Sequence, residues 1–354
     1  MSAAALAALP LQTHRRLRRL VEAGEPADVF RAIVAGERVI DGVDDRVWRA
    51  WRNVGGLDDA MADRCAEHGI SVVSMRDDAY PVCLADDREA PAVLFHRGDL
   101  TVLSRRRVGI IGTRTASLSG CNFARMLGRD LALNDVAVVS GLARGIDVHA
   151  HRGVCGESTG AAVAVVACGL DVVYPPEHGL EWDSVVDRGV LLSEAPPGTP
   201  PETHRFPLRN RILAALSEVL VVVESRARGG SMITVREALK RDVTVMAVPG
   251  APFSPVSDGT NALLKDGCEP VTDVSDVLVA LGLTTASCRR GADTREAPTA
   301  DERGVLVACT ARAVTVDEIV MTLGIPVFEA GVLLGRLETK GWVQQVNGWW
   351  EALT

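Results

Sequence analysis

Between Arg107 and Leu281 the chain repeats one pattern: a short apolar run, a turn rich in Gly, Ser, Glu or Pro, then a longer amphipathic stretch. The runs are Val108-Gly-Ile-Ile111, Val136-Ala-Val-Val139, Ala161-Ala-Val-Ala-Val-Val166, Val190-Leu-Leu192, Val219-Leu-Val-Val-Val223 and Val243-Thr-Val-Met-Ala-Val248. They are mostly β-branched and lack a polar phase, so strands made from them are buried on both faces. Alternation with helical stretches makes such strands parallel. The pattern therefore predicts an α/β fold, a doubly wound, mostly parallel Rossmann-like sheet, with ligands expected at the carboxyl ends of its strands.

The flanks follow other periods. Leu11 to Ala23, Pro26 to Ala35 and Asp44 to Trp51 repeat apolar positions at helical spacing. They predict a small helical module over residues 1–68. Its Asn53-Val-Gly-Gly-Leu57 is either a helix-hairpin-helix grip on a DNA backbone or a loop before another helix. Ile70 to Met75 reads as a strand, and Tyr80-Pro81 with Pro91 to Phe95 as an extended lead-in to the sheet, giving a second domain over 69–282. From Thr284 to Thr299 the only apolar side chains are small ones such as Ala286 and Ala292, and residues 283–300 read as a linker. In 301–354, three helices (Asp301 to Cys309, Thr315 to Leu323, Val327 to Thr339) precede a hairpin with an Asn347-Gly348 turn, the order of a winged helix. The charges on its third helix, Glu329, Arg336, Glu338 and Lys340, are near balance, which favours packing or protein contact over reading a major groove.

Composition narrows the function classes. A formal charge of −8 excludes indiscriminate coating of nucleic acid, so any such site must be local. Residues 201–245 are a basic island, with eight basic against five acidic residues. The chain has only three lysines, Lys240, Lys265 and Lys340, so its cations are nearly all arginines. The eight cysteines never approach Cys-x-x-Cys spacing and fit a reduced, cytoplasmic setting. The start lacks a basic segment ahead of an apolar one, so no secretory signal is expected, and no apolar run is long enough to imply a membrane partner.

Chemistry concentrates in the turns after the strands. Gly112-Thr113-Arg114, followed by a helix opening at Ser117, supplies backbone amides, a hydroxyl and a guanidinium fork for a phosphate; a tight turn with a solvated Arg is the plainer alternative. Ser140-Gly141-Leu-Ala-Arg144-Gly145-Ile-Asp147 lets the backbone approach a ligand, with Asp147 as helix cap or ribose acceptor. It lacks the Gly-x-Gly-x-x-Gly spacing of dinucleotide sites, so no cofactor is expected. Asp147-x-His149-x-His151 lacks an identifiable completing ligand set, so helix-surface or packing roles outweigh a metal. Gly229-Gly230-Ser231 repeats the anion-binding pattern at a helix start. The densest cluster is Glu202-Thr-His-Arg-Phe206-Pro-Leu-Arg209-Asn210-Arg211, a Pro-broken loop entering a helix, with an aromatic ring available to stack on a base.

Taken together, Gly112-Thr-Arg114, Ser140 to Asp147 with His151, Tyr174-Pro175, Ser193-Glu194, Phe206-Pro-Leu-Arg-Asn-Arg211, Gly230-Ser-Met-Ile-Thr234, Pro249-Gly250 and Gly259-Thr-Asn261 resemble the DNA-processing protein A (DprA/Smf) family over about residues 70–281. The resemblance implies a cytoplasmic, homodimeric, non-enzymatic protein that binds single-stranded DNA, protects it on entry during natural transformation and loads the RecA recombinase. Its implied strand contacts are Arg114, Phe206, Arg209, Asn210 and Arg211. Gly112, Thr113, Gly141, Arg144, Gly145, Gly230 and Ser231 would shape the site. Departures are Gly229 where a Ser is expected, His149 at a position that is often small, and the scarcity of Lys.

The competing reading is enzymatic. Gly229-Gly-Ser-Met-Ile-Thr-Val-Arg-Glu237 is reminiscent of the loop of nucleoside-monophosphate phosphoribohydrolases, yet lacks its leading Pro and third Gly and has one extra residue before the Thr. Catalysis would fall to Glu237. A nucleotide-sensing module is a further alternative, separable by its preference for small nucleotides over long strands.

Overall fold

The computed structural model describes residues 2–284, 288 and 295–353. Five helices come first: α1 (Ser2–Ala7), α2 (His14–Ala23), α3 (Pro26–Ala35), α4 (Asp45–Arg52) and α5 (Leu57–Glu67). Gly56, in the left-handed region at φ 79°, turns the chain into α5, so Asn53 to Gly56 is a short connection between two helices. Next come β1 (Ser71–Ser74), the single turn α6 (Val82–Ala85) and β2 (Val93–Gly98).

The sheet proper alternates β3 (Arg106–Ile111), α7 (Leu118–Leu133), β4 (Val136–Ser140), α8 (Ile146–Cys155), β5 (Ala162–Val165), α9 (Gly179–Arg188), β6 (Gly189–Ser193), α10 (Arg205–Leu216), β7 (Val219–Val222), α11 (Ser231–Leu239), β8 (Thr244–Ala247), α12 (Asp258–Lys265), β9 (Glu269–Pro270) and α13 (Val274–Ala280). Its order is β1-β2-β6-β5-β4-β3-β7-β8-β9. All pairings from β6 to β9 are parallel, while β2 joins β6, and β1 joins β2, antiparallel. All six predicted strands are present, and the doubly wound α/β class holds. The lead-in at Pro91 to Phe95 is itself a strand, β2, because its alternating backbone bonds are taken up by the edge of β6. The winding reverses between β3 and β7, and that switch point is where such sheets open a crevice at their carboxyl edge.

The helical front does not stand apart. Leu6, Leu20, Ile33 and Trp51 share one continuous apolar core with Phe95, Val108 and Leu127 of the sheet. Trp51 donates its indole N–H to the Pro10 carbonyl at 2.8 Å, and Arg64 pairs with Asp171 at 2.6 Å.

Of the predicted linker, 285–287 and 289–294 lie outside the described residues. Beyond it are α14 (Ala300–Ala311), α15 (Val316–Leu323), α16 (Val327–Thr339), β10 (Val343–Val346) and β11 (Trp349–Ala352). Thr299 with Glu302 and Thr315 with Glu318 form capping boxes, which is why α14 and α15 begin where they do. Gly324 ends α15 in the left-handed region, Pro326 caps α16, and the two helices meet at 113°. This winged helix has its own core, from Val305 and Ile319 to Leu334 and Trp350. The largest apolar side chain exposed on α16 is Phe328. No single helix among the described residues is long and apolar enough to cross a membrane.

Candidate nucleic-acid interface

A groove of about 550 Å³ opens at the carboxyl edge of the sheet. It is bordered by the β3 turn (Gly112 to Thr115), by Ala143 and Asp147 after β4, by Tyr174, by the start of α10, and by Arg226 and Gly229 to Ser231 after β7. This is the switch point between β3 and β7, so the topology alone brings these turns together.

The Phe206 to Arg211 segment is helical rather than a loop. Pro207 is tolerated because it lies in the first turn of α10, where no amide partner is lost. Helical phase then sorts its side chains. Phe206, Arg209 and Asn210 fall on one face and line the groove; Arg211 lies about 140° round from Phe206. Its guanidinium pairs with Glu194 and bonds to the Glu89 carbonyl and to His14, tying α10 to the N-terminal helices. Burial pushes the Glu194 carboxyl up against the pull of Arg211. The expectation that Arg211 contacts the strand is therefore corrected: it is a brace on the far side.

Arg209 reaches the groove wall but is only 6% exposed. It donates to the Val165 carbonyl at 2.5 Å and lies directly over Gly141, where a Cβ would overlap it. Beneath it, Asp147 is buried. Burial raises its carboxyl to about 6 despite the attraction of Arg209 and Arg114 and bonds to the backbone of Ala143 and Gly141. Asp147 is thus a buried counter-charge, not an exposed acceptor for a ribose. His151 is also buried, and desolvation holds it near 3, so it stays neutral. His149 faces the Gly145 carbonyl at 2.8 Å, and among the described residues no group of three His, Cys, Asp or Glu could hold a metal.

The two predicted anion sites differ. At the start of α7 the carboxylate of Glu224 takes bonds from the Ser117 amide at 2.9 Å and its hydroxyl at 2.5 Å, while Ser117 caps Gly120. The Thr113 amide donates to the Glu224 carbonyl at 2.8 Å. A phosphate would meet a carboxylate there, so the expectation of an anion at this helix start is corrected. At the start of α11 no side chain caps the helix, and Gly230 and Ser231 border the groove. Of the amides at this start, those of Met232 and Ile233 already donate to the Gly229 and Gly230 carbonyls, each at 3.1 Å, which leaves those of Gly230 and Ser231 to meet an acceptor. Ser231 anchors the turn through its hydroxyl, 2.7 Å from that of Ser225. Gly145, at φ 74°, packs on the Thr113 carbonyl and locks the β3 and β4 turns together.

Arg114 and Arg226 are exposed on the groove and form no ion pair among the described residues. The Arg114 guanidinium lies 4.7 Å from the centre of the Phe206 ring, and the Tyr174 ring is tilted at 5.7 Å on Phe206. Arg144 borders a smaller adjoining cleft and is paired with Glu177. The site is thus an aromatic pair beside unpaired arginines and an uncapped helix start. Sequence reasoning passed over Arg226, although its place just after the strand at the switch point marks it. Nothing in the sequence marks Tyr174 as the ring that packs on Phe206.

Such a sheet, with an arginine and aromatic groove at its switch point and followed in the chain by a winged helix, defines a Rossmann-like binding protein. The profile of DNA recombination-mediator protein A matches residues 71–282, and that of the DprA winged helix domain matches 291–348. The chain belongs to the DNA recombination-mediator protein A (DprA/Smf) family. It is 36% identical over 216 residues to DNA processing protein DprA of Bacillus subtilis, covering 61% of this chain and 72% of that protein. It is 34% identical over 279 residues to Protein Smf of Escherichia coli, covering 76% and 74%. DprA of Streptococcus pneumoniae superposes with TM-score 0.68 at 30% identity, over 77% of this chain and 95% of that one. DprA of Helicobacter pylori, whose structure was described for its single-stranded DNA binding mode, superposes with TM-score 0.53 at 28% identity, over 60% and 95%.

Proposed function

We propose that this protein holds single-stranded DNA in the groove at the switch point, without cleaving it, and hands it as a homodimer to RecA in the cytoplasm during recombination or uptake of incoming DNA. The observation that carries the binding step is Phe206, set between Arg114 and Tyr174, with Arg226 and the open α11 start beside it. A ring offers a face to any base, and arginines track a phosphate backbone without reading sequence. Asn210 adds a donor and acceptor on the same helical face. Arg209, Asp147, Gly141 and Gly145 act indirectly, by fixing the wall. The Helicobacter pylori relative supports the ligand class; the RecA and dimer steps rest on family membership.

Glu237, the acid that the enzymatic reading requires, is bonded to Lys240 at 2.6 Å and Arg241 at 2.8 Å, and Arg241 also pairs with Asp87 and Glu89. Burial would raise its carboxyl, but these bonds together hold it below the usual range. That network favours holding over catalysis.

Titrating labelled oligo-dT, duplex DNA and mononucleotides at fixed salt tests the reading, with wild type and an Arg114→Ala, Phe206→Ala variant. Single-strand preference, lost in the variant, is expected. Equal affinity for duplex, or tight binding of a mononucleotide with weak binding of oligo-dT, would overturn it.

A further inference from the structure

The loop after β8 reads Pro249-Gly-Ala-Pro-Phe253-Ser-Pro255, and its phenylalanine is 98% exposed. A lone exposed apolar side chain is ordinary; this one is presented by a stiffened loop on the groove's own edge. Pro252 and Pro255 restrict the backbone, and two turns close on it, Ser254 N–H to the Ala251 carbonyl at 3.0 Å and Ser257 N–H to the Ser254 carbonyl at 2.9 Å. The Asn261 amide clamps Gly250 from both sides, accepting from its N–H at 3.2 Å and donating to its carbonyl at 3.1 Å. The Gly259 amide donates to the Ser225 carbonyl at 2.7 Å, fastening this loop to the Arg226 turn.

Between the loop and the groove stand Arg226 and Arg228, both exposed and in no ion pair among the described residues. The surface there is low. Nothing lies within 4 Å of where a Cβ on Gly230 would be. From β3, whose turn carries Arg114, to β8, whose loop carries Phe253, is two strand intervals, about 10 Å at ordinary sheet spacing. Aromatic, arginines, bare glycine turn and second aromatic therefore follow one another along one edge, the alternation that suits a strand whose bases stack while its phosphates are neutralised.

We propose that Phe253 is a second base-stacking platform, so that a single strand runs from Phe206 across the Gly229-Gly230 turn and past Arg226 and Arg228 to Phe253. The proposal rests on the reading of the groove as a single-strand site and extends it to a second, longer-range contact. A short oligonucleotide engages one platform, and a longer one engages both.

The test is a series of labelled oligo-dT from about 4 to about 20 nucleotides, spanning the range of single-strand site sizes, bound by wild type and by Phe253→Ala, Phe253→Leu and Phe253→Trp. At full exposure none of these changes should disturb folding, which thermal melts verify. The expected result is that Ala and Leu weaken long oligonucleotides about tenfold, the effect of losing one stacked base. Short ones should be unaffected, Trp should retain wild-type affinity, and the slope of log affinity against log salt should not change. Binding of Phe253→Ala equal to wild type at every length, or retention of affinity by Leu, would overturn the second platform and leave the groove reading intact. Failure of wild type to prefer oligo-dT over duplex overturns both.

Discussion

Arg114 and Arg211 carry the same side chain in the same motif set, and the structure predicts opposite consequences for losing each. Arg211→Ala removes a guanidinium whose side chain is 8% exposed from a carboxylate that is 24% exposed, and strips the Glu89 carbonyl and His14 of a partner. Breaking one side of a buried pair costs about 3–5 kcal/mol, and the residual water access of Glu194 brings the expected loss to about 2–3 kcal/mol. In a domain of this size that lowers Tm by about 5–10 °C. Arg114→Ala loses only a cation–π contact, worth about 0.5–1 kcal/mol at an exposed site, so its melt should move by no more than about 2–3 °C. Binding should sort the other way. One charge-assisted phosphate bond is worth about 1.5–3 kcal/mol, or roughly 10- to 100-fold in affinity, and its loss flattens the salt slope by about 0.7. Thermal melts and oligo-dT titrations at several salt concentrations, performed well below both melting points, measure the two effects separately. If Arg211→Ala melts like wild type yet binds as poorly as Arg114→Ala, the assignment of brace and contact is wrong.

Other consequences follow from the same geometry. Gly230 has ordinary helical angles, φ −61° and ψ −30°, and open space beside it; Gly230→Leu should keep or slightly raise stability, by up to about 1 kcal/mol, while obstructing single-strand binding. Gly145→Ala should destabilise by more than about 1 kcal/mol in urea unfolding, because φ 74° is strained for alanine and its Cβ would strike the Thr113 carbonyl. Asp147 is raised to about 6 in the folded protein. Between about pH 4 and pH 6 the native state therefore holds a proton that the unfolded chain has released, and stability contributed below pH 4 is lost as pH rises, by about 3 kcal/mol in all. Comparing wild type with Asp147→Asn in urea unfolding at pH 4 and pH 7 should reveal this as a pH-dependent difference; an identical difference at both values would contradict it.

The strands were legible because each is apolar on both phases, a pattern that only a sheet covered on two sides produces. The winged helix was legible from the order of three helical stretches and a hairpin with an Asn347-Gly348 turn. What the sequence hid was orientation. Phe206 and Arg211 are five residues apart, and only after α10 is known to include Pro207 does the helical period send one to the groove and the other to the N-terminal helices. Glu224 lies 107 positions from Ser117, so nothing local announces that its carboxylate fills the α7 start. Arg209 drew attention for its charge, whereas its burial depends on the glycine at 141, in another loop. The front helices looked separable because their period differs from that of the sheet, yet they close over the same core.

The central claim is that a single strand lies in the groove at the switch point, and photo-crosslinking tests it most directly. Oligonucleotides carrying a photoreactive thymine analogue, irradiated with the full chain and mapped by peptide mass spectrometry, should give adducts on Tyr174, on Phe206 and its neighbours in α10, and on the Arg226 to Ser231 turn. Adducts concentrated instead on α16 of the winged helix or on α4 of the front module, with the groove unlabelled, would contradict the account.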